Sequence, residues 1–166
     1  MTFPARSRRD FLTGRPPEGA LRILPPGASE SSIRSCTGCG ACAEACPTQV
    51  IAIRSGVAVV DFGQGECIFC GRCAERCPEP VFAAGAAGGF AHHAVVGEGC
   101  LAFNHVDCQA CRDSCAAGAI RFRPQPRGPF VPELDANACT GCGACLGLCP
   151  AAAITMTARR GEAAHA

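Results

Sequence analysis

Cys36-Thr37-Gly38-Cys39-Gly40-Ala41-Cys42-Ala43-Glu44-Ala45-Cys46-Pro47 decides how the rest of the chain is read. Three thiols at two-residue gaps, with a fourth three residues on and a proline behind it, form the ligand run of a cubane iron–sulfur cluster. In such runs the fourth cysteine serves a neighbouring cluster. The spacing returns at Cys67, Cys70, Cys73 and Cys77 with Pro78, and at Cys139, Cys142, Cys145 and Cys149 with Pro150. A further group, Cys100, Cys108, Cys111 and Cys115, has a seven-residue first gap and Ala116 where the proline would stand. Together they use all 16 cysteines of the 166-residue chain. Disulfides require no repeated two-residue gap, and zinc ribbons place two C-x-x-C pairs far apart rather than three cysteines in tandem. Iron–sulfur clusters fit the spacing best and suit a reducing compartment.

The motif recurs roughly every 30–40 residues, the mark of one small unit copied four times. The expected fold is α+β: two tandem bacterial two-cluster ferredoxin-like modules, poor in regular secondary structure and nucleated by their clusters. The expected organisation is an Arg- and Pro-rich arm over 1–32, a first module over 33–82, a linker over 83–93, a second module over 94–158 and a tail over 159–166. Within each module the order is strand, helix, hairpin, helix, strand. Ile51 to Arg54 and Val57 to Asp61 around Ser55-Gly56 read as one hairpin, and Ile120 to Arg123 with Val131 to Leu134 as another. Short helices are expected after the third cysteine of each regular motif, as over 41–45. Trp and Tyr are absent and nine Phe must do much of the packing, so the metal-free chain is expected to be largely unfolded.

The formal charge of +1 counts thiols as neutral. Four loaded clusters at about −2 each would bring it to about −7. No Lys occurs, and the 15 basic residues are all Arg without a run that would suit nucleic acid. No apolar stretch is long enough to span a bilayer. The arm contains Ser7-Arg8-Arg9-Asp10-Phe11-Leu12, which looks like a twin-arginine export motif, but polar and kinked residues follow it where an apolar stretch would be needed. His92, His93, His105 and His165 receive no role, although His105 lies in the irregular stretch where a ligand could be replaced. No nucleophile triad, phosphate loop or flavin fingerprint appears, which leaves electron or cluster transfer as the supported chemistry and argues against an enzyme.

In paired-motif ferredoxins the first three cysteines of one motif join the fourth of its partner. Carried over to this chain, one cluster takes Cys36, Cys39, Cys42 and Cys77, and the next takes Cys67, Cys70, Cys73 and Cys46. A third takes Cys139, Cys142, Cys145 and Cys115. A fourth takes Cys100, Cys108, Cys111 and Cys149, and the loop from Leu101 to Asp107 makes it the most labile; three clusters with free thiols in that motif is the alternative. Gly38, Gly40, Gly71, Gly141 and Gly143 allow tight turns around the clusters.

Taken together, the arm, the three regular motifs and the irregular stretch Cys100-Leu101-Ala102-Phe103-Asn104-His105-Val106-Asp107-Cys108 resemble the NapF family, ferredoxin-type accessory proteins of periplasmic nitrate reductase systems. The resemblance implies a cytoplasmic protein that assists maturation of the catalytic subunit, a NapA-like partner, before export. It also implies that Arg8, Arg9, Phe11 and Leu12 dock that partner. The alternative is a general polyferredoxin carrying electrons to an oxidoreductase.

Overall fold

The computed structural model describes residues 22–83 and 89–159. Arg8, Arg9, Phe11 and Leu12 therefore lie outside the described residues. Ten short elements follow in chain order: α1 (Ala41–Glu44), β1 (Ile51–Arg54), β2 (Val57–Val60), α2 (Arg72–Glu75), β3 (His92–Val96), α3 (Ala110–Asp113), β4 (Ile120–Arg123), β5 (Val131–Leu134), α4 (Ala144–Leu148) and β6 (Ile154–Ala158), with a 3-10 turn over Ser32–Ser35 ahead of them. The first helix falls within the expected 41–45; it and the other helices each contain the third cysteine of their motif, not only the residues after it, and the irregular motif has its own helix, α3.

The first hairpin follows from its turn chemistry. Ser55 and Gly56 both take positive φ, 50° and 79°, the backbone of a two-residue turn whose twist matches that of the strands it joins. Arg54 therefore faces Val57 and the register runs to Ile51 opposite Val60. Arg54 also reaches Asp61 at 2.5 Å across the turn. The second hairpin pairs Ile120 with Leu134 and Arg123 with Val131. Pro132 sits in β5, tolerated because a two-stranded sheet has only edges.

The outer strands separate the two modules. In the second, β3 and β6 pair antiparallel over five residues, from His92 opposite Ala158 to Val96 opposite Ile154. In the first, the same place is held by a single bridge, Ala28 to Phe82. Pro25 and Pro26 precede one side of that bridge and Pro78 and Pro80 the other, and proline gives no N–H to a ladder. β3 also takes in His92 and His93, which the sequence places in the linker. Similarly, residues from 22 onward lie against the first module: Val60 N–H donates to Ile23 O at 2.8 Å, Ala83 N–H to Gly27 O at 2.8 Å and the Ser32 hydroxyl to Val81 O at 2.6 Å.

Three small cores result. Ile33, Cys42, Ile51, Ala58 and Val81 form one, and Ala94, Cys111, Ile120, Cys145 and Ile154 the second. Val50, Val60, Phe62 and Phe90 form a third that draws side chains from both modules. Full burial of a Val or Ile contributes roughly 1.5–3 kcal/mol, so cores of four or five such groups, some of them thiols, are thin against the entropy of ordering the chain.

The close approach of the first motif to its hairpin yields a test. A Cβ on Gly38, at φ 68°, would sit 2.7 Å from Gly56 O, a backbone atom that cannot swing aside. Gly38→Ala is expected to cost about 1–3 kcal/mol. A melting temperature of the loaded protein unchanged from that of the unsubstituted chain would contradict this.

Candidate metal centres

Each motif is laid out by a tight turn and one helical turn. Gly38, Gly40, Gly71, Gly141 and Gly143 all take positive φ, as the sequence predicts, and carry the chain round from the first cysteine into the helix. The third cysteines, Cys42, Cys73, Cys111 and Cys145, stand on α1 to α4 and face inward; Cys42, Cys111 and Cys145 are buried. The fourth cysteine lies just beyond each helix, where nearby polar groups meet its sulfur. Ala119 N–H reaches Cys115 Sγ and Ala153 N–H reaches Cys149 Sγ, both at 3.3 Å, and the Thr48 hydroxyl lies 3.6 Å from Cys46 Sγ.

Cysteines of different motifs converge on shared cavities. Cys36, Cys39, Cys42 and Cys77 line one together with Ile53 and Val81. Cys46, Cys67, Cys70 and Cys73 line a second of about 430 Å³ that also meets Val50, Ile68 and Phe69. Cys100, Cys108, Cys111 and Cys149 line a third, closed by Val96 and Ile154. In each of these, three cysteines of one motif meet the fourth of its partner. For the remaining four, Cys145 is buried in the second core, with Cys115 and Cys139 packed against it.

Among the described residues no group of His, Cys, Asp and Glu is arranged to hold a single metal ion. A lone tetrahedral ion needs sulfurs about 2.3 Å from its centre. The thiols instead line the walls of cavities, the arrangement wanted by a polynuclear group with inorganic sulfide at its heart.

The electrostatics agree with that donor set. Burial, reinforced by the neighbouring Cys139 and Cys142, pushes the Cys145 thiol up to about 12. Burial and then Cys100 push Cys111 up to about 11. Burial also raises Cys42, Cys67 and Cys73, with other cysteines adding to it. Cys46 alone goes the other way: burial raises it, but hydrogen bonds from the Thr48 hydroxyl and nearby backbone N–H groups outweigh that and hold it below the usual thiol value. Cys42, Cys67, Cys73, Cys111 and Cys145, raised in this way, stay protonated in the metal-free chain. Only a compensating positive charge, such as iron supplies, makes their joint ionisation favourable.

The irregular motif keeps a trace of the regular one. His105, Cys108, Cys111 and Cys115 repeat the regular spacing, so His105 holds the place of a first cysteine. The structure leaves His105 exposed, at φ 62°, and lines the cavity with Cys100 instead. The intervening loop is shorter in space than in sequence. Asn104 closes it by donating from Nδ2 to Glu98 O at 2.8 Å and to Cys100 O at 2.9 Å, while Ala102 is fully buried. Val106 N–H completes the turn on Leu101 O at 2.9 Å.

Sequence reasoning misses His92, which is buried with its Nε2 2.9 Å from Gly141 O, between Cys139 and Cys142. Burial, followed by the nearby Arg159 and His93, holds it below the usual imidazole value and therefore neutral, with its Nε2–H donating to that carbonyl. No sequence signal marks it apart from its entry into a strand.

The sequence is similar to those of known iron–sulfur proteins. A family model described as a 4Fe-4S dicluster domain matches residues 35–81 and again 106–153, the second span beginning after Cys100. The chain is 40% identical over 152 residues, 90% of its length and 93% of the relative's, to a ferredoxin-type protein NapF of Escherichia coli K12. It is 38% identical over 169 residues, 94% of its length and 96% of the relative's, to a ferredoxin-type protein NapF of Haemophilus influenzae. A shorter stretch of 63 residues, 38% of this chain and 20% of the relative, is 40% identical to one component of an ion-translocating oxidoreductase complex of Methanosarcina acetivorans.

The cross-motif ligand sets predict paired losses. Cys77→Ser and Cys36→Ser should each lower iron by about four atoms per chain and remove the same spectroscopic signal, although the two residues belong to different motifs. Cys46→Ser should instead remove the signal lost in Cys70→Ser. Loss sorted by motif, with Cys36 and Cys46 sharing one signal, would refute the pairing. Stripping iron and sulfide with a chelator under reducing conditions should abolish cooperative thermal unfolding, read by circular dichroism.

Proposed function

We infer the role of this chain from its family: it belongs to the NapF group of ferredoxin-type proteins, iron–sulfur electron carriers built from 4Fe-4S dicluster domains. Its finer role, on our reading, is in the cytoplasm, where it assists maturation of the molybdenum-containing catalytic subunit of a periplasmic nitrate reductase before export, by electron donation or cluster assembly. The observation that carries this reading is the end-to-end match to NapF proteins, 90% or more of both chains, rather than to a cysteine motif alone.

Four [4Fe-4S] clusters are held, on this reading, by Cys36, Cys39, Cys42 and Cys77; by Cys46, Cys67, Cys70 and Cys73; by Cys115, Cys139, Cys142 and Cys145; and by Cys100, Cys108, Cys111 and Cys149. Bound clusters supply one-electron chemistry at low potential. The chain's own residues set the surroundings. Val81, Ile53 and Val96 exclude water, and the backbone N–H groups of Ala119 and Ala153 draw charge from the sulfurs of Cys115 and Cys149. Among the described residues no helix is long and apolar enough to cross a membrane.

Docking falls to the arm through Arg8, Arg9, Phe11 and Leu12. Tagged full-length protein should retain the unexported catalytic subunit, and removal of residues 1–20 should abolish that retention while the iron content stays constant. Equal retention by both forms would rule out docking by the arm. Sustained reduction of the mature enzyme, with no partner held before export, would replace maturation with the general electron-carrier role.

A further inference from the structure

Two cysteine motifs from different modules touch. Cys67, the first cysteine of the second motif, donates its backbone N–H to the carbonyl of Cys142, the second cysteine of the fourth motif, at 2.8 Å. Around this bond lies the third core. Phe62 from the first module packs so closely on the fourth motif that a Cβ on Gly143 would sit 2.1 Å from its ring. Phe62 meets the Phe90 ring edge-on at 5.9 Å, Phe69 lies 5.6 Å from Phe90, and His92 lies 4.6 Å from Phe90 while holding Gly141 O. Arg159 fastens the far side, donating to Phe90 O at 3.3 Å, to Ala136 O at 2.5 Å and to Cys139 O.

Phe69 shows that this contact is maintained at a cost. It stands two residues after the first cysteine of its motif, where the first and fourth motifs have Gly38 and Gly141. All three positions take positive φ, 68° and 75° at the glycines and 53° at Phe69. A bulky side chain in that region costs roughly 1–3 kcal/mol. A loop that needed only to wrap a cluster would use glycine. Phenylalanine places a ring between the modules.

We propose that this contact is an electron junction, which makes the two modules one four-site wire rather than two independent carriers. The proposal rests on the ligand sets given above. Those sets fix the order: the Cys36/Cys39/Cys42/Cys77 site at one end, then the site of Cys46, Cys67, Cys70 and Cys73, then that of Cys115, Cys139, Cys142 and Cys145, and the Cys100 site at the other end. The second and third sites meet through the Cys67–Cys142 bond, shielded by Phe62, Phe69, Phe90 and His92. Passage across it is a one-electron exchange: one site is oxidised by one electron, the other is reduced by one, and no proton or covalent bond changes hands.

The test is low-temperature EPR on the reconstituted full chain, reduced with dithionite, with iron counted on the same samples. In the intact chain the first module's signals should be broadened by a partner spin in the second. Cys145→Ser, which takes a ligand from the third site, should sharpen them and slow their relaxation by on the order of several-fold. Phe62→Ala leaves every cysteine and every cavity-lining side chain in place, and should produce the same sharpening at unchanged iron content. First-module signals identical in all three proteins, with the intact chain carrying its full iron, would overturn the junction alone. Iron short by two clusters or more in the intact chain, beyond what loss of the labile Cys100 site removes, would overturn the ligand sets and the junction with them.

Discussion

The structure turns on mutual repulsion among buried thiolates. Four sulfurs facing one small volume cannot all ionise there without a cation, and burial, with Cys139 and Cys142 beside it, already pushes Cys145 up to about 12. A metal-free chain keeps the raised thiols, Cys42, Cys67, Cys73, Cys111 and Cys145, protonated and gains little from bringing them together. Once iron and sulfide enter, the same crowding becomes the strongest set of bonds in each module. Because three sulfurs come from one motif and one from its partner, the charge requirement ties together segments that are far apart in sequence. The surrounding cores, a few Val, Ile and Ala side chains apiece, shape the cavities but are too small to hold the fold without this tie.

Economy of regular structure follows from that dependence. Elements of four or five residues suffice where clusters supply the cross-links. The modules use this latitude differently. The second builds a five-residue pair of outer strands, whereas prolines on both sides reduce the first to the Ala28–Phe82 bridge. Its outer edge is steadied instead by residues 22–32, through Ile23, Gly27 and Ser32. The thinner first module also has the larger cavity, beside the exposed Ile68.

Contact between the modules is a feature of its own. Flexible tethering would need none of the strain at Phe69, the bond from Cys67 to Cys142 or the buried neutral His92. Each departs from the simplest way of wrapping a cluster, and all lie on one surface. Rings of Phe62, Phe69 and Phe90 exclude water there, which lowers the local dielectric and strengthens each remaining polar contact.

Cysteine spacing by itself determined the chemistry and the duplicated module, and turn residues the two hairpins, because both act locally: Ser55-Gly56 joins its strands through a two-residue turn, and C-x-x-C-x-x-C points three sulfurs at one centre. Helix positions were legible to within a few residues. Tertiary structure decided what depends on neighbours remote in sequence. Cys100 was legible as the first member of the third motif although His105 holds that place in the spacing; how the loop between them closes, with Asn104 bonding back and Ala102 buried beneath it, was decided by the fold. His92 and Phe69 were illegible for the same reason. Their roles come from a surface in the other half of the chain, and no pattern within a few residues of either one records what will pack against it.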